Sequence, residues 1–192
     1  SFPTRRSSDL ENNMAAGQIA ADELIRIGCS RIAFAAHSFD YESVQDRQMG
    51  VEKTIARTHG STQLELINSK GLMFEDGYQL GLDIIDTMKR SGLDAIPDGI
   101  ITVSDALAAG VLSAFHDHNG PRVPEDVCVI GMEGARLETK CPMSLTVVNA
   151  PAIDMGRKAM AQMLDYIDNP AAHVHSTTLI EPTLIRRESK IG

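Results

Sequence analysis

A cation on the apolar stripe of an amphipathic helix needs a reason to be there. Arg47 lies three residues after Val44 and four before Val51, in a segment from Ser43 to Thr58 where Val44, Val51 and Ile55 repeat at helical spacing. Its side chain therefore projects from the buried face near the amino-terminal turn, where the helix dipole disfavours positive charge and burial adds a desolvation cost. Either a paired carboxylate or a polar ligand has to compensate it, and position alone does not choose between them. Glu133 is the second candidate. It follows the apolar run VCVIG, and Gly131 and Gly134 leave room for close approach to the backbone. A carboxylate there can accept from the hydroxyls or amines of a ligand, and a solvated loop glutamate is the plain alternative. Ser104 and Asp105 follow another apolar run, GIITV; one of them can cap the next helix while the other faces a cleft.

Other chemistry finds little support. The chain has no GxGxxG, no phosphate-binding Walker loop and no GxSxG elbow, so no nucleotide cofactor or nucleophile is implied. His116 with His118 and His173 with His175 are spaced two apart, which on a helix points the rings away from each other, and neither pair reads as a metal site. Cys29, Cys128 and Cys141 are odd in number and widely separated, favouring reduced thiols over a disulfide framework or a zinc cluster. Met155, Met160 and Met163 are expected to fill gaps in a core.

The elements that must carry these residues alternate. Ala16, Ala20, Leu24 and Ile27 predict a helix stopped by Gly28, and Arg31 to Ala36 a strand. The Arg47 helix follows and is closed by Gly60; then come a polar connector and a helix bearing Tyr78, Gly81, Leu82, Ile85 and Met88 that ends at Gly92. Gly99 to Val103 reads as a buried strand, followed by a helix with Leu107, Val111, Ala114 and Phe115. Val127 to Ile130 and Leu145 to Val148 are further strands. Pro151 suits the first turn of a helix with Ile153, Gly156, Met160, Met163 and Ile167 inward, and Thr178 to Ile185, interrupted by Pro182, reads as an edge strand. Such alternation implies an α/β fold with a doubly wound, mostly parallel sheet, whose ligands bind beyond the carboxyl ends of the strands.

The 192 residues are 43% hydrophobic, enough for a sizeable core, and carry 18 basic against 26 acidic side chains, a net charge of -8. That balance lacks the basic footprint of a nucleic-acid surface, so any DNA contact is expected from another segment. No apolar stretch is long enough for a membrane helix. Residues 1–10, SFPTRRSSDL, are out of character with the rest and read as a translated sequencing adapter; without them the chain has 16 basic and 25 acidic residues, a net charge of -9, and begins in mid-domain.

Several segments together resemble the LacI/GalR family of bacterial transcription regulators and its periplasmic-binding-protein-like fold: NNMAAGQIAADELIRIGCSRIAF, RQMG at Arg47 to Gly50, DGIITVSDALAAGVL, VPEDVCVIGMEG, CPMSLTVVNAPAIDMG and PTLIRRES. The order and spacing of these pieces, more than any one of them, make the resemblance specific. It implies an effector-sensing domain rather than an enzyme, with no cofactor, binding a sugar or related metabolite between two lobes in a cytoplasmic homodimer that contacts DNA through a helix-turn-helix outside this chain. By the same resemblance Arg47, Ser104 and Glu133 match effector-contacting positions, Tyr41, Ser43 and Leu72 match further lining positions, and Asp105 is left as the structural cap. Ser104 stands where the family has asparagine and Glu133 where it has a shorter aspartate, which implies a different hydrogen-bond pattern. Residues 11–27 and 150–175 are expected to belong to an amino-terminal subdomain, largely missing, and 28–149 and 176–192 to a carboxy-terminal subdomain, so that apolar helix faces should be left exposed. The implied dimer contact is the helix after Asp105 and the segment from Arg136 to Pro142. The rival reading is a periplasmic sugar-binding protein of a transporter, which a secretory signal would identify; an enzyme using Glu133 or Asp105 ranks below both.

Overall fold

A computed structural model of the chain describes residues 11–134, 141–169 and 179–190. The expected alternation is present: α1 (Asn13–Arg26), β1 (Arg31–Ala36), α2 (Glu42–Ala56), β2 (Gln63–Asn68), α3 (Phe74–Ser91), β3 (Gly99–Thr102), α4 (Asp105–Asp117), β4 (Cys128–Glu133), β5 (Thr146–Asn149), α5 (Ala152–Asp168) and β6 (Thr183–Ile185). The strands form one sheet in the order β2-β1-β3-β4-β5-β6, parallel except for the antiparallel last pair. Two cores flank it. On one face α1 and α2 cover Phe34, Ile101, Ile130 and Val148; on the other α3 and α4 cover Ala33, Ile100, Val129 and Val147. The alternation of inward side chains along β1, β3, β4 and β5 divides them between the two faces, which is why these strands read as continuous apolar runs.

Local chemistry sets the ends of the elements. Asn12 accepts from the Ala15 amide and caps α1, and Gly28, with φ 99°, takes the left-handed turn between α1 and β1. Ser104 accepts from the Leu107 amide and so is the cap of α4. Asp105, expected to be the cap, is instead the first helical residue and is fully buried. The hydroxyl of Ser104 has the shorter reach and the extended backbone that a cap needs, while the carboxylate of Asp105 turns against Gly131 of β4.

Three further expectations need correction. The connector after Gly60 contains a strand, β2, at the edge of the sheet; its exposed and half-buried residues QLELIN give no buried run for a sequence reading to find. The helix placed in residues 11–27 does not stand apart from the sheet: Ala16, Ala20, Ala21 and Leu24 of α1 are buried in one core with Phe34, Val51 and Ile130. Small side chains at Ala16, Ala20 and Ala21 let α1 lie close on the strands, with Leu24 filling the space at its far end. Finally, Ile153, Met160, Met163 and Ile167 of α5 do not face inward; each is more than half exposed, at 73%, 59%, 56% and 62%. Met160 and Met163 therefore fill no core gap among the described residues. These side chains form an exposed apolar face on α5. No helix among the described residues is long and apolar enough to cross a membrane.

Candidate functional site

Because β1, β3, β4 and β5 are parallel, their carboxyl ends share one edge of the sheet, and the chain leaves them at Ala36, Thr102, Glu133 and Asn149. Arg47 reaches this edge from α2. Its Nη1 donates to the carbonyl of Val103, just beyond β3, at 3.0 Å, and to that of Met132 in β4 at 3.5 Å. Its Nε donates to Oδ1 of Asn13 at 2.8 Å, and its Nη2 pairs with Glu11 Oε2 at 3.2 Å. The ion pair is largely withdrawn from solvent, the two side chains being 12% and 11% exposed. The compensation demanded by Arg47 on its apolar stripe is thus supplied by Glu11, by an asparagine and by two strand-end carbonyls.

Two glycines bring α2 near enough to α1 for this. A methyl group on Gly17 would collide with the carbonyl of Arg47, and one on Gly50 with that of Met14, so neither position takes a side chain without separating the helices. Gly50 is the glycine of the RQMG segment, and its role is close helix approach.

Glu133 ends β4 beside this cluster. Burial pushes its carboxyl above the usual range, the Arg47 charge and the Asp105 main-chain N–H at the start of α4 pull it back, and the Glu11 charge raises it again. The residue nevertheless keeps access to solvent. Asn149 is its register partner on β5, and the Asn149 side chain lies against Gly134. Ser104 is buried; besides capping α4 it donates to the carbonyl of Leu72 at 2.7 Å, so its hydroxyl already has a donor and an acceptor. Tyr41 and Ser43 stand at the start of α2, exposed and half-buried, and among the described residues neither forms a side-chain hydrogen bond to Arg47, Glu133 or Ser104.

The structure therefore brings Arg47 and Glu133 into one electrostatic cluster, places Ser104 with Leu72 at the neighbouring strand end, and leaves Tyr41 and Ser43 at the start of α2 outside that cluster. Sequence reasoning missed Glu11, Asn13 and Asn149. The polar doublet Asn12-Asn13 ahead of a small-residue helix, and the asparagine closing the apolar run LTVV, were the available signals. His116 and His118 lie at the exposed end of α4, where Tyr78 Oη contacts Asp117 at 3.2 Å and His118 at 3.0 Å. His173, His175 and Arg136 to Lys140 lie outside the described residues.

A parallel sheet with a guanidinium, carboxylates and amides gathered beyond its carboxyl edge is the arrangement at which doubly wound α/β domains take their ligands. The chain belongs to the periplasmic binding protein-like domain family, whose model matches residues 21–190. Among its relatives, the ribose operon repressor of Haemophilus influenzae is 26% identical over 94% of this chain and 52% of its own length. The HTH-type transcriptional repressor PurR of Vibrio parahaemolyticus is 23% identical over 97% of this chain and 53% of its own. The chain thus spans about half the length of the curated relatives it matches. Among solved structures, an uncharacterized protein from Actinobacillus succinogenes superposes with a TM-score of 0.78 at 26% identity, covering 94% of this chain and 63% of that one. A LacI family transcriptional regulator from Enterococcus faecium with bound ribose gives 0.79 at 21% identity over the same shares. These relatives bear out the LacI/GalR resemblance, and the fold is theirs.

Proposed function

We propose that the chain is the effector-sensing part of a LacI-type transcription regulator, cytoplasmic and homodimeric, which binds DNA through another segment and catalyses no reaction. The observation that carries this reading is the Arg47 cluster. One side chain joins the ends of β3 and β4 to Glu11 and Asn13, in the segment that enters the domain. Glu11 also forms an isolated parallel bridge with Ile180, and Asn12 donates to Glu181 at 2.8 Å, so the incoming and returning strands are tied together beside the site. A ligand that engages Arg47 and Glu133 acts on the connections toward a second lobe, to which we assign the exposed face of α5. It shifts the lobes by no more than its difference in affinity between their two arrangements.

The names of the curated relatives, a ribose operon repressor and a PurR repressor, support this reading over a transporter-associated binder. The test is to sequence the source DNA upstream of the codon for Glu11. An in-frame helix-turn-helix is the expected result; a secretory signal would transfer the protein to the exported binders and remove the DNA switch.

A further inference from the structure

The hydrogen-bond inventory around Arg47 limits what the site can hold. A guanidinium has five N–H donors and no acceptor. Here Nε is committed to Asn13, Nη1 to the Val103 carbonyl with a longer contact to that of Met132, and Nη2 to Glu11. Most of its donors are therefore spent inside the protein, and its charge is already balanced by a shielded carboxylate. The Ser104 hydroxyl at the neighbouring strand end gives its proton to Leu72. The group left with free accepting capacity is the Glu133 carboxylate, which keeps solvent access, and the Asn149 carboxamide lies next to it. In charge, one cation faces two carboxylates, Glu11 and Glu133, a formal excess of one negative charge.

From this balance, and resting on the reading of this edge as the effector site, we infer that the ligand is a donor-rich polyol, neutral or bearing an amine that pairs with Glu133, and that phosphorylated or carboxylated analogues are rejected. A hydroxyl or ammonium donor finds acceptors waiting. An anion finds a guanidinium already occupied and a carboxylate in its path. The penalty for one uncompensated charge a few ångströms away in a half-solvated site is on the order of tenfold in affinity.

The experiment uses the full-length protein expressed from its source gene and nine probes: ribose, glucose and galactose, each with its amino-deoxy and its monophosphate derivative. Thermal shift ranks them, and calorimetry gives Kd for those that act. At least one neutral or amino sugar is expected to bind, with its phosphate about tenfold weaker or worse, and Glu133→Gln is expected to narrow the gap between amine and phosphate. A phosphate that binds more tightly than its parent sugar overturns the inference, and so does silence from every neutral and amino probe. Arg47→Lys separates the two levels. If it weakens a phosphate that binds the wild type, the site stands and the ligand class falls. If Arg47→Lys and Glu133→Gln both leave a bound probe's Kd unchanged, the site lies elsewhere and the functional reading falls with it.

Discussion

Glu23 offers the sharpest test of how this fold is held together. Its carboxylate, 2% exposed, takes two contacts from Arg26 at 3.1 and 2.9 Å, two from Arg186 at 2.9 Å each, and one from Lys190 at 3.2 Å. One buried anion in α1 thereby anchors the segment that follows β6. Hydrogen bonds from Arg26, then from Arg186 and Lys190, hold its carboxyl far below the usual carboxylate range against the opposing effect of burial. Glu23→Gln keeps the shape and removes the charge, leaving Lys190, whose side chain is only 5% exposed, without its counter-ion. Breaking a buried pair in this way costs roughly 3–5 kcal/mol; with both arginines half exposed and free to rehydrate, we expect about 3 kcal/mol. With a slope of ~2 kcal/mol per molar, the urea midpoint should fall by ~1.5 M. The sign with pH follows from a depressed carboxylate: the stabilisation is fully present above the unfolded-state pKa of about 4.3 and is lost as pH falls from there toward the lower folded value. The gap between wild type and variant should therefore stay constant from pH 7 to about pH 5 and close below that. A midpoint shift under ~0.5 M at pH 7, or a gap that widens in acid, would refute the argument.

Ser189 accepts from the Thr146 amide at 2.8 Å and donates to the Val129 carbonyl at 2.6 Å, stitching β5 to β4, so Ser189→Ala should cost about 1–3 kcal/mol in urea melts. Gly50→Ala drives a methyl into the α1 backbone and should cost roughly 1–3 kcal/mol while also weakening any probe that engages Arg47, as calorimetry on the folded fraction would show. Glu133→Gln removes a carboxylate whose burial raises its pKa; a raised carboxylate opposes folding above that pKa, so thermal melts at pH 7 should show unchanged or slightly higher stability despite altered ligand preference. Met160→Glu with Ile167→Glu should reduce aggregation in light scattering without lowering the melting midpoint, since both side chains are exposed in this chain.

How far the sequence could be read depended on whether each signal is local. Phe34, Ile101, Ile130 and Val148 sit in unbroken apolar runs, and those runs became the central strands; β2, with its residues open to solvent, carries no such run and was passed over. The periodicity of α5 marks an amphipathic helix but not the direction its apolar stripe takes, because such a stripe says that a face is apolar and not what lies against it. The small residues of α1 misled in the opposite way. Ala16, Ala20 and Ala21 look like a weak stripe, yet they are what allows a helix to press onto a sheet, and α1 is among the best buried elements of the fold.

Arg47 shows the same division within the site. Its anomaly is local, a charge at an apolar position, and was visible from Val44 and Val51 alone. Its partners are not local: Glu11 arrives from just before α1, Asn13 from the first turn of α1, and the Val103 and Met132 carbonyls from the ends of β3 and β4, all of them 34 to 85 residues away along the chain. Only the parallel order of the sheet brings them to one edge. Having them there changes the meaning of the arginine. Read alone it invites an anion, but surrounded by Glu11, Asn13 and two carbonyls it is the pin that holds the strand ends and the entering chain in one arrangement. In the proposed effector site, discrimination among ligands then passes to Glu133, the acidic group beside it that still meets solvent.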